Sequence, residues 1–372
     1  MSDTAHRLAL WRSLLPVLVL IATGLLGCLP DGTPAYLDGG NLILATFRQG
    51  RNYESFCTYD VRTKRTLWHG SDLRPRYVRI VEDLVLVEWA VPQQRPVCTR
   101  FDPRTGKLSP APPDLAGRLA QVVPVSRGGR KCLLVPCGDR YDVYSLPELK
   151  RQETLSLKKP VGAGDFWWLR EVERGLEVVG PDSKVSATIP RQEIEKAQID
   201  PRARVRYARV SPDGKAILLF MPGERGNTFP VFDTQTGLLL WVIVCEDLPF
   251  GTPLVGRNAV WTVEQEDPPD PTTAPSSKPT ATTAAAATTA PAERPVIALV
   301  RYSPPGPGQG ELARRQVVYR YTAPADSTLC NFAPSPDRSH FLAAIAGSPP
   351  RLLFMPLAAS EKEVEVIELK AR

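Results

Sequence analysis

Short apolar runs alternate with polar turns along most of the chain, most clearly over residues 211–241. Pro212-Asp213-Gly214 is a strong turn sequence, because proline presets φ, aspartate bonds nearby backbone and glycine accepts a positive φ. The run at residues 216–220 has no polar face, which indicates a strand buried on both sides. Residues 233–237 predict a second turn and residues 238–244 another strand. Three or four strands with two hairpins in about 40 residues are typical of one propeller blade.

Weaker copies of this unit recur from about residue 40 to the C-terminus. The apolar strand after the first turn begins again at Leu42, Leu84, Cys132, Leu176, Ala216, Ala259 and His340. The aromatic residue before the second turn recurs with the same period, at Tyr59, Phe101, Tyr141 and Phe232. Two landmarks with one period predict an all-β chain that forms a single β-propeller of about seven four-stranded blades, with six or eight as alternatives. A β-sandwich would not space both turns equally.

The chain begins with a segment that predicts export. Residues 1–12 carry two arginines, and residues 13–26 form an almost unbroken apolar run that is short for a membrane span. The run ends in LLGC at residues 25–28, which resembles the lipobox of bacterial lipoproteins. The resemblance implies a signal peptide over residues 1–27, cleavage before Cys28 and lipidation of Cys28. Ordinary cleavage and an uncleaved anchor are the two alternatives.

The predicted signal peptide sets the expected location and domain plan. Leu29 follows the cysteine, which is similar to lipoproteins sorted to the outer membrane in Gram-negative bacteria. We therefore expect an exported protein of the bacterial cell envelope, attached to the membrane through its lipidated N-terminus. It would face the periplasm from the outer membrane, or lie on the cell surface. Residues 28–36 would be a short tether and residues 37–372 the propeller.

One segment inside the predicted propeller differs in composition from the rest. Residues 268–292 are almost entirely proline, threonine, alanine and serine, with no large apolar side chain. Such a segment cannot bury enough apolar surface to offset the entropy of ordering. It predicts a disordered insertion at about residues 266–294, between two strands of the sixth blade. Residues 191–198, with the sequence RQEIEKAQ, predict a short helix between blades.

Cysteine usage fits an exported protein without fixing a pairing. Setting Cys28 aside leaves six cysteines, an even number, and buried free thiols fit the sequence as well as disulfides. Cys132 and Cys137 could form a small loop only if a turn near Pro136 folds the strand back. No C-x-x-C is present, and the sequence predicts neither a metal site nor a cofactor.

The net charge of +6 is spread along the chain. The densest basic run is Arg202, Arg204 and Arg206, whose alternation predicts one solvated face of a strand. Aromatic residues are not interleaved with the basic residues, so we expect no nucleic-acid partner.

The second turns carry a family resemblance. Asp233-x-x-Thr236-Gly237-x-x-x-Trp241 resembles the repeat of pyrroloquinoline-quinone-type propellers, in which the tryptophan docks against the next blade. A second copy has Lys64 in place of the glycine and keeps Trp68, whereas a third keeps the turn but has Pro110 in place of the tryptophan. The SPDGK and SPD sequences at residues 211–215 and 335–337 are similar to WD40-like repeats of exported bacterial proteins. The resemblance implies structural roles in blade turns and docking for Asp60, Thr63, Asp102, Thr105, Gly106, Asp213, Gly214, Asp233, Thr236, Gly237 and Trp241.

Sequence signatures of catalysis are missing. The chain has no G-x-S-x-G elbow, no H-E-x-x-H and no P-loop, and its three histidines (His6, His69 and His340) have no ligand spacing. Within the resemblance, the quinoprotein dehydrogenases are longer and hold a calcium site. The closer analogy is the lipoprotein propeller of the outer-membrane barrel-assembly machinery. We therefore expect a non-catalytic scaffold that binds a protein or peptide. An enzyme or small-ligand sensor with its site in the central channel is the alternative, and a structural envelope component a third.

Overall fold

Seven four-stranded antiparallel sheets make up the fold. The computed structural model describes residues 34–49, 52–70, 75–89, 95–158, 160–198, 204–224, 226–245, 251–266, 294–306, 312–357 and 364–369. The chain is a seven-bladed β-propeller, and the predicted fold class is confirmed. The proposed signal peptide, Cys28 and most of the tether lie outside the described residues. The described part of the chain contains no helix with the length and hydropathy that crossing a membrane requires.

Within each blade the strands lie side by side in chain order. Blade one contains β1 (Ala35–Leu37), β2 (Leu42–Gln49), β3 (Asn52–Asp60) and β4 (Arg65–Gly70). Blade two contains β5 (Pro75–Val81), β6 (Leu84–Trp89), β7 (Val97–Phe101) and β8 (Leu108–Pro110). Blade three contains β9 (Val123–Arg127), β10 (Arg130–Cys137), β11 (Arg140–Ser145) and β12 (Arg151–Leu155). Blade four contains β13 (Val161–Gly162), β14 (Trp168–Val172), β15 (Gly175–Val179) and β16 (Val185–Pro190).

The last three blades follow the same plan. Blade five contains β17 (Tyr207–Val210), β18 (Ala216–Phe220), β19 (Asn227–Asp233) and β20 (Leu239–Cys245). Blade six contains β21 (Leu254–Val255), β22 (Val260–Glu266), β23 (Val296–Ser303) and β24 (Arg314–Thr322). Blade seven contains β25 (Thr328–Pro334), β26 (His340–Ala346), β27 (Arg351–Pro356) and β28 (Glu365–Glu368). The helix α1 (Arg191–Ala197) connects blades four and five where the sequence predicts it, and short 3-10 turns lie at Asp38–Gly40, Pro113–Leu115 and Leu119–Gln121.

The first strand of each blade lies at the centre of the ring. The backbone N–H of Val210, at the end of β17, donates to the carbonyl of Ala163 beside β13, at 2.9 Å. First strands that lie next to each other in this way surround a central channel. Because the strands alternate in direction, the turns after the first and third strands of every blade lie on one side of the ring. We call this side the turn face; in blade five it carries residues 211–215 and 233–237.

The core consists of side chains packed between neighbouring blades. Ile217 and Phe232 on one side of blade five pack with Leu169 of blade four. Leu218 on the other side packs with Val260 of blade six. The strand Ala216–Phe220 is buried along its whole length, as its uninterrupted apolar pattern indicates. Each large apolar side chain buried in this way contributes about 1.5–3 kcal/mol, so the blades stabilise one another.

Among the described residues, no sheet combines strands from the two ends of the chain. Blade one contains only strands from the N-terminal end and blade seven only strands from the C-terminal end. Their contact is made by side chains, among them Ile43 and Tyr59 against Leu342, Leu352 and Ile367. The joint between blades seven and one is therefore held by packing between sheets, like the other joints.

Two landmarks of the sequence pattern fall on the wrong positions. Leu176 lies in β15, the third strand of blade four, whereas the second strand begins at Trp168. The first strand of that blade has only two residues, so its apolar pattern is weak. In blade three the aromatic residue that precedes the second turn is Tyr144, not Tyr141.

The predicted basic strand is wrong, and for the thiols the structure has one of the two alternatives that the sequence left open. Arg204 and Arg206 are exposed but precede β17 instead of alternating along a strand, and Arg202 lies outside the described residues. Cys132 and Cys137 belong to the single strand β10, so no turn brings them together. The structure has free thiols at all six described cysteines: Cys57, Cys98, Cys132, Cys137, Cys245 and Cys330.

The low-complexity segment begins where a strand of blade six ends. Glu266 at the end of β22 pairs with Val296 at the start of β23. Residues 267–293, which contain most of the predicted disordered insertion, lie outside the described residues. The two strands pair regularly over Val260–Glu266, so the blade forms on both sides of the segment.

Candidate functional site

The second turn of blade five is built around one buried carboxylate. Oδ1 of Asp233 accepts the backbone N–H groups of Gln235 at 2.8 Å and Thr236 at 2.9 Å. Its Oδ2 lies 3.0 Å from a guanidinium nitrogen of Arg257 in blade six. Burial alone would raise the pKa of Asp233, but these hydrogen bonds and the charge of Arg257 together lower it. The turn therefore holds blade five to blade six as well as reversing the chain.

Gly237 and Trp241 complete that unit. Gly237 has φ +71°, and a Cβ on it would lie 2.1 Å from the carbonyl oxygen of Thr188 in blade four. Only glycine fits this position without moving backbone. Trp241 is buried, and its indole N–H donates to the carbonyl of Arg257 at 3.1 Å. The tryptophan therefore fills the joint between blades five and six.

Blades one and two carry related turns. Asp60 accepts the N–H groups of Arg62 and Thr63 at 2.8 and 2.9 Å. Asp102 accepts the N–H of Arg104 at 2.9 Å and the hydroxyl of Thr105 at 2.7 Å. Trp68 of blade one packs edge-on against Phe101 of blade two, with ring centroids 5.0 Å apart, and lies directly against Gly106. The aspartate and threonine of each repeat therefore stabilise a turn, and the tryptophan of blade one packs against the turn of blade two.

The Ser-Pro-Asp turns after the first strands share one hydrogen-bond pattern. Ser211 and Ser335 are buried, and the hydroxyl of each donates to the aspartate two residues later, at 2.5 and 2.6 Å. The same hydroxyl oxygens accept backbone N–H groups at the start of the next strand. In blade five the turn ends in Gly214, with φ +70°, and in blade seven in Arg338, with φ +59°.

The joint between blades seven and one contains a cavity of about 360 Å³ that opens on the turn face. We call this cavity the recess. Its walls are mainly aromatic and aliphatic: Tyr36, Tyr59, Val61, His340, Phe354 and Ile367. Lys64, Asp337 and Glu365 place charges around it. A concave, mostly apolar cavity with a few polar groups is the usual form of a binding site.

Two residues that line the recess, Tyr36 and His340, belong to a chain of three hydrogen-bonded side chains. Nε2 of His340 lies 2.7 Å from the hydroxyl of Tyr36, and Nδ1 lies 2.8 Å from the hydroxyl of Ser339. Burial lowers the pKa of His340, although Asp337 and Glu365 act in the opposite direction. Burial, with the charge of Asp337, raises the pKa of Tyr36. Both rings are therefore neutral near pH 7 and able to exchange hydrogen bonds with a ligand.

The recess has more negatively than positively charged groups. Hydrogen bonds from Ser335 and Ser339 lower the pKa of Asp337 to about 2, so this carboxylate is ionised near pH 7. Glu365 of blade seven pairs with the ammonium of Lys64 in blade one at 2.9 Å. Two carboxylates against one ammonium leave the recess with a net negative charge.

Sequence reasoning missed the recess for a physical reason. Tyr36 and His340 are 304 residues apart, and only closure of the ring brings them together. The sequence places no ligand residue at a suitable spacing from His340, so its neighbours along the chain do not indicate a site. Of the residues singled out as turn residues, Asp60 and Thr63 come nearest to the recess, since Lys64 follows them.

Within the described residues, no group of three or more His, Cys, Asp or Glu side chains is placed to hold a metal ion. No family model matches the chain, and no curated protein matches it.

Solved structures show a loose similarity to the chain. KlAtg21 in complex with the coiled coil of AgAtg16 is 8% identical, covers 90% of this chain and 98% of that chain, and has a TM-score of 0.48. Hsv2 of Kluyvelomyces marxianus is 11% identical over 90% of this chain and 95% of that chain, with a TM-score of 0.46. The dihydro-heme d1 dehydrogenase NirN is 14% identical, and the match covers 91% of this chain and 66% of that chain with a TM-score of 0.43. At these values we take no function from these proteins.

Proposed function

We propose that the chain is an exported, lipid-anchored β-propeller of the WD40-like or pyrroloquinoline-quinone-like repeat type. It binds a segment of a partner protein in the recess between blades seven and one, without catalysis. The observation that carries this proposal is an open cavity of about 360 Å³ at a joint between blades. In the joint between blades five and six, by contrast, the buried side chain of Trp241 occupies the space.

The walls of the recess support a peptide as the occupant. Tyr36 and Phe354, which are partly exposed, offer aromatic surface, on which side chains of a partner bind with little loss of conformational entropy. The net negative charge favours a basic side chain in the bound segment, because Asp337 and Glu365 outnumber Lys64. Aromatic rings beside carboxylates also suit a cation, through the negative faces of the rings. We therefore infer a peptide segment with an apolar residue next to a lysine or arginine.

The anchor is supported by the sequence alone. The basic segment, the apolar run and the LLGC sequence precede the propeller directly, so the attachment would hold the ring close to a membrane. Several acyl chains on Cys28 would make the attachment far firmer than one. Mass spectrometry of the mature protein should find Cys28 as the first residue with acyl groups attached. A mature N-terminus elsewhere would contradict the anchor but leave the recess untouched.

Filling the recess tests the binding function. In Ile367→Trp, a large ring replaces a side chain that lines the recess, as Trp241 fills the joint after blade five. The control is Val366→Trp, since Val366 is the next residue of the same strand and is 38% exposed. We expect a protein captured from solubilised envelopes by the wild-type chain and by Val366→Trp to be lost with Ile367→Trp.

Two outcomes would overturn the binding function. The first is equal capture by Ile367→Trp and Val366→Trp, which would place binding elsewhere on the ring. The second is the absence of any stoichiometric partner of the wild-type chain. Circular dichroism and the midpoint of thermal unfolding confirm that each variant keeps its blades.

A further inference from the structure

The central channel opens on the turn face through a second cavity, of about 180 Å³. We call it the channel mouth. It is lined by residues of blades four to seven and shares only Ser335 and Pro336 with the recess. Pro212, Pro253, Pro334 and Pro336 contribute no backbone N–H to it, because proline has none. The charged donors at the channel mouth are the guanidinium groups of Arg209 and Arg338.

Arg209 is held in place by the shape of blade four. Gly164 has φ +81°, and a Cβ on it would lie 2.1 Å from a guanidinium nitrogen of Arg209. The arginine therefore lies directly on the backbone of the first turn of blade four. Its side chain is only 25% exposed. Asp165 is 77% exposed and 4.0 Å away, so solvent screens most of this ion pair.

Arg338 occupies a position at which the equivalent turn of blade five has glycine. Both turns have the sequence Ser-Pro-Asp followed by a residue of positive φ, which is +70° at Gly214 and +59° at Arg338. An arginine in this conformation is strained, and strain of this kind is often found at functional sites. The side chain of Arg338, which glycine would lack, lines the channel mouth.

Positive charge also acts on a residue in the first strand of blade five. The pKa of Tyr207 in the first strand of blade five is raised by burial, and the charges of Arg209 and Arg79 both act to lower it. Arg79 lies in the first strand of blade two. Its charge is therefore felt by a residue in a blade three places further around the ring. Two arginines, Arg209 and Arg338, against Asp165 give the lining of the channel mouth a net positive charge.

We propose that the channel mouth binds the oxyanion group of a small ligand, a phosphate monoester or a carboxylate, between the guanidinium groups of Arg209 and Arg338. Guanidinium groups pair with both kinds of oxyanion through two parallel hydrogen bonds. The two arginines approach the mouth from blades five and seven, so a ligand between them is held from two sides. This site does not depend on the recess or on a partner protein.

Isothermal titration of the detergent-solubilised full chain with inorganic phosphate and with citrate tests the proposal. We expect saturable binding of at least one probe, weakened at least tenfold by Arg338→Gly and by Arg209→Gln. Arg338→Gly restores the glycine of the blade five turn, so the variant is expected to fold. Asp165→Asn should tighten binding, because it removes the opposing charge. Arg204→Gln removes an exposed arginine that does not line the mouth and serves as the control.

The pattern of results separates the ligand classes. Binding of phosphate alone assigns a phosphate ester, and binding of citrate alone assigns a carboxylate ligand. An equal loss of affinity in Arg204→Gln and Arg338→Gly would show that only the net charge of the protein matters, and would overturn the site. Absence of saturable binding of either probe to the wild-type chain would overturn it as well. Neither result bears on capture through the recess, which Ile367→Trp tests separately.

Discussion

The joint between blades five and six and the joint between blades seven and one solve the same packing problem differently. In the first, the outer strand of blade five directs Trp241 against blade six, where its N–H reaches the carbonyl of Arg257. In the second, the outer strand of blade seven offers Ile367 and Glu365 to blade one, and a cavity of about 360 Å³ remains. One joint is closed by a single large side chain, whereas the described residues leave the other open.

The difference shows that packing and binding compete for the same space in a propeller. Blade sheets cannot bury their apolar faces alone, so each joint needs side chains large enough to fill it. Where the side chains at a joint are too short to fill it, the joint is less stable and a concave surface remains. The open joint is also the one at which the two ends of the chain meet. The packing of Ile43 and Tyr59 against Leu342 keeps it together beside the cavity.

The largest expected effect comes from opening the closed joint. Trp241→Ala removes a fully buried indole and leaves a cavity, which should lower the free energy of unfolding by about 3–5 kcal/mol. Urea denaturation measures this loss. Ile367→Ala, at the open joint, should cost clearly less, because its side chain already borders a cavity. A loss as large for Ile367→Ala would contradict the contrast between the two joints.

A substitution in the turn before Trp241 should lower the free energy of unfolding by nearly as much. Gly237→Ala forces a side chain onto a backbone with φ +71°, 2.1 Å from the carbonyl oxygen of Thr188. Strain in this region costs about 1–2 kcal/mol and the clash adds to it, so we expect a loss of about 2–3 kcal/mol. Gly128→Ala is a matched control, since its φ is +55° but nothing lies within 4 Å of the added methyl. Equal losses in both variants would show that the contact with blade four is unimportant.

Relief of backbone strain at the channel mouth should raise the free energy of unfolding, whereas the two preceding substitutions lower it. Arg338→Gly replaces a residue with φ +59° by the residue that blade five uses at the same point. The strain relieved exceeds the added freedom of the unfolded chain, so we expect a gain of about 0.5–1 kcal/mol in the free energy of unfolding. Thermal unfolding in phosphate-free buffer measures it. A loss of stability would mean that Arg338 is held by contacts that favour its conformation.

The smallest expected effect is a pH dependence at the open joint. Burial lowers the pKa of His340 below that of the unfolded chain, so the unfolded state binds more protons in mildly acid solution. Stability should therefore fall as the pH drops through about 6.5 towards the pKa of the folded protein. His69 has a lowered pKa for the same reason and contributes in the same direction.

Denaturation of the wild-type chain, His340→Gln and His69→Gln at pH 7.5 and 5.5 separates the two histidines. Each substitution should remove part of the difference in stability between the two pH values. An unchanged difference in His340→Gln would show that protonation of this ring does not disturb the joint.

The fold could be predicted from local chemistry because each blade repeats the same turns and apolar strands. The repeat was misread where a blade departs from the pattern, as in blade four, whose first strand has two residues. The turn residues could be recognised because Asp233, Thr236 and Gly237 lie within five positions of each other. The recess and the channel mouth could not be predicted. Tyr36 and His340 are brought into contact, and Arg209 and Arg338 are brought to one cavity, only by the arrangement of the blades in a ring.

Site-specific photo-crosslinking in intact cells tests most directly whether the open joint is the binding site. A benzophenone side chain at Val61, which lines the recess, should give one dominant adduct with a partner protein. The same group at Val185, which is 44% exposed on the outer strand of blade four, should give none. The adduct at position 61 should disappear when Ile367→Trp is added. An adduct at position 185 and none at 61 would contradict the account.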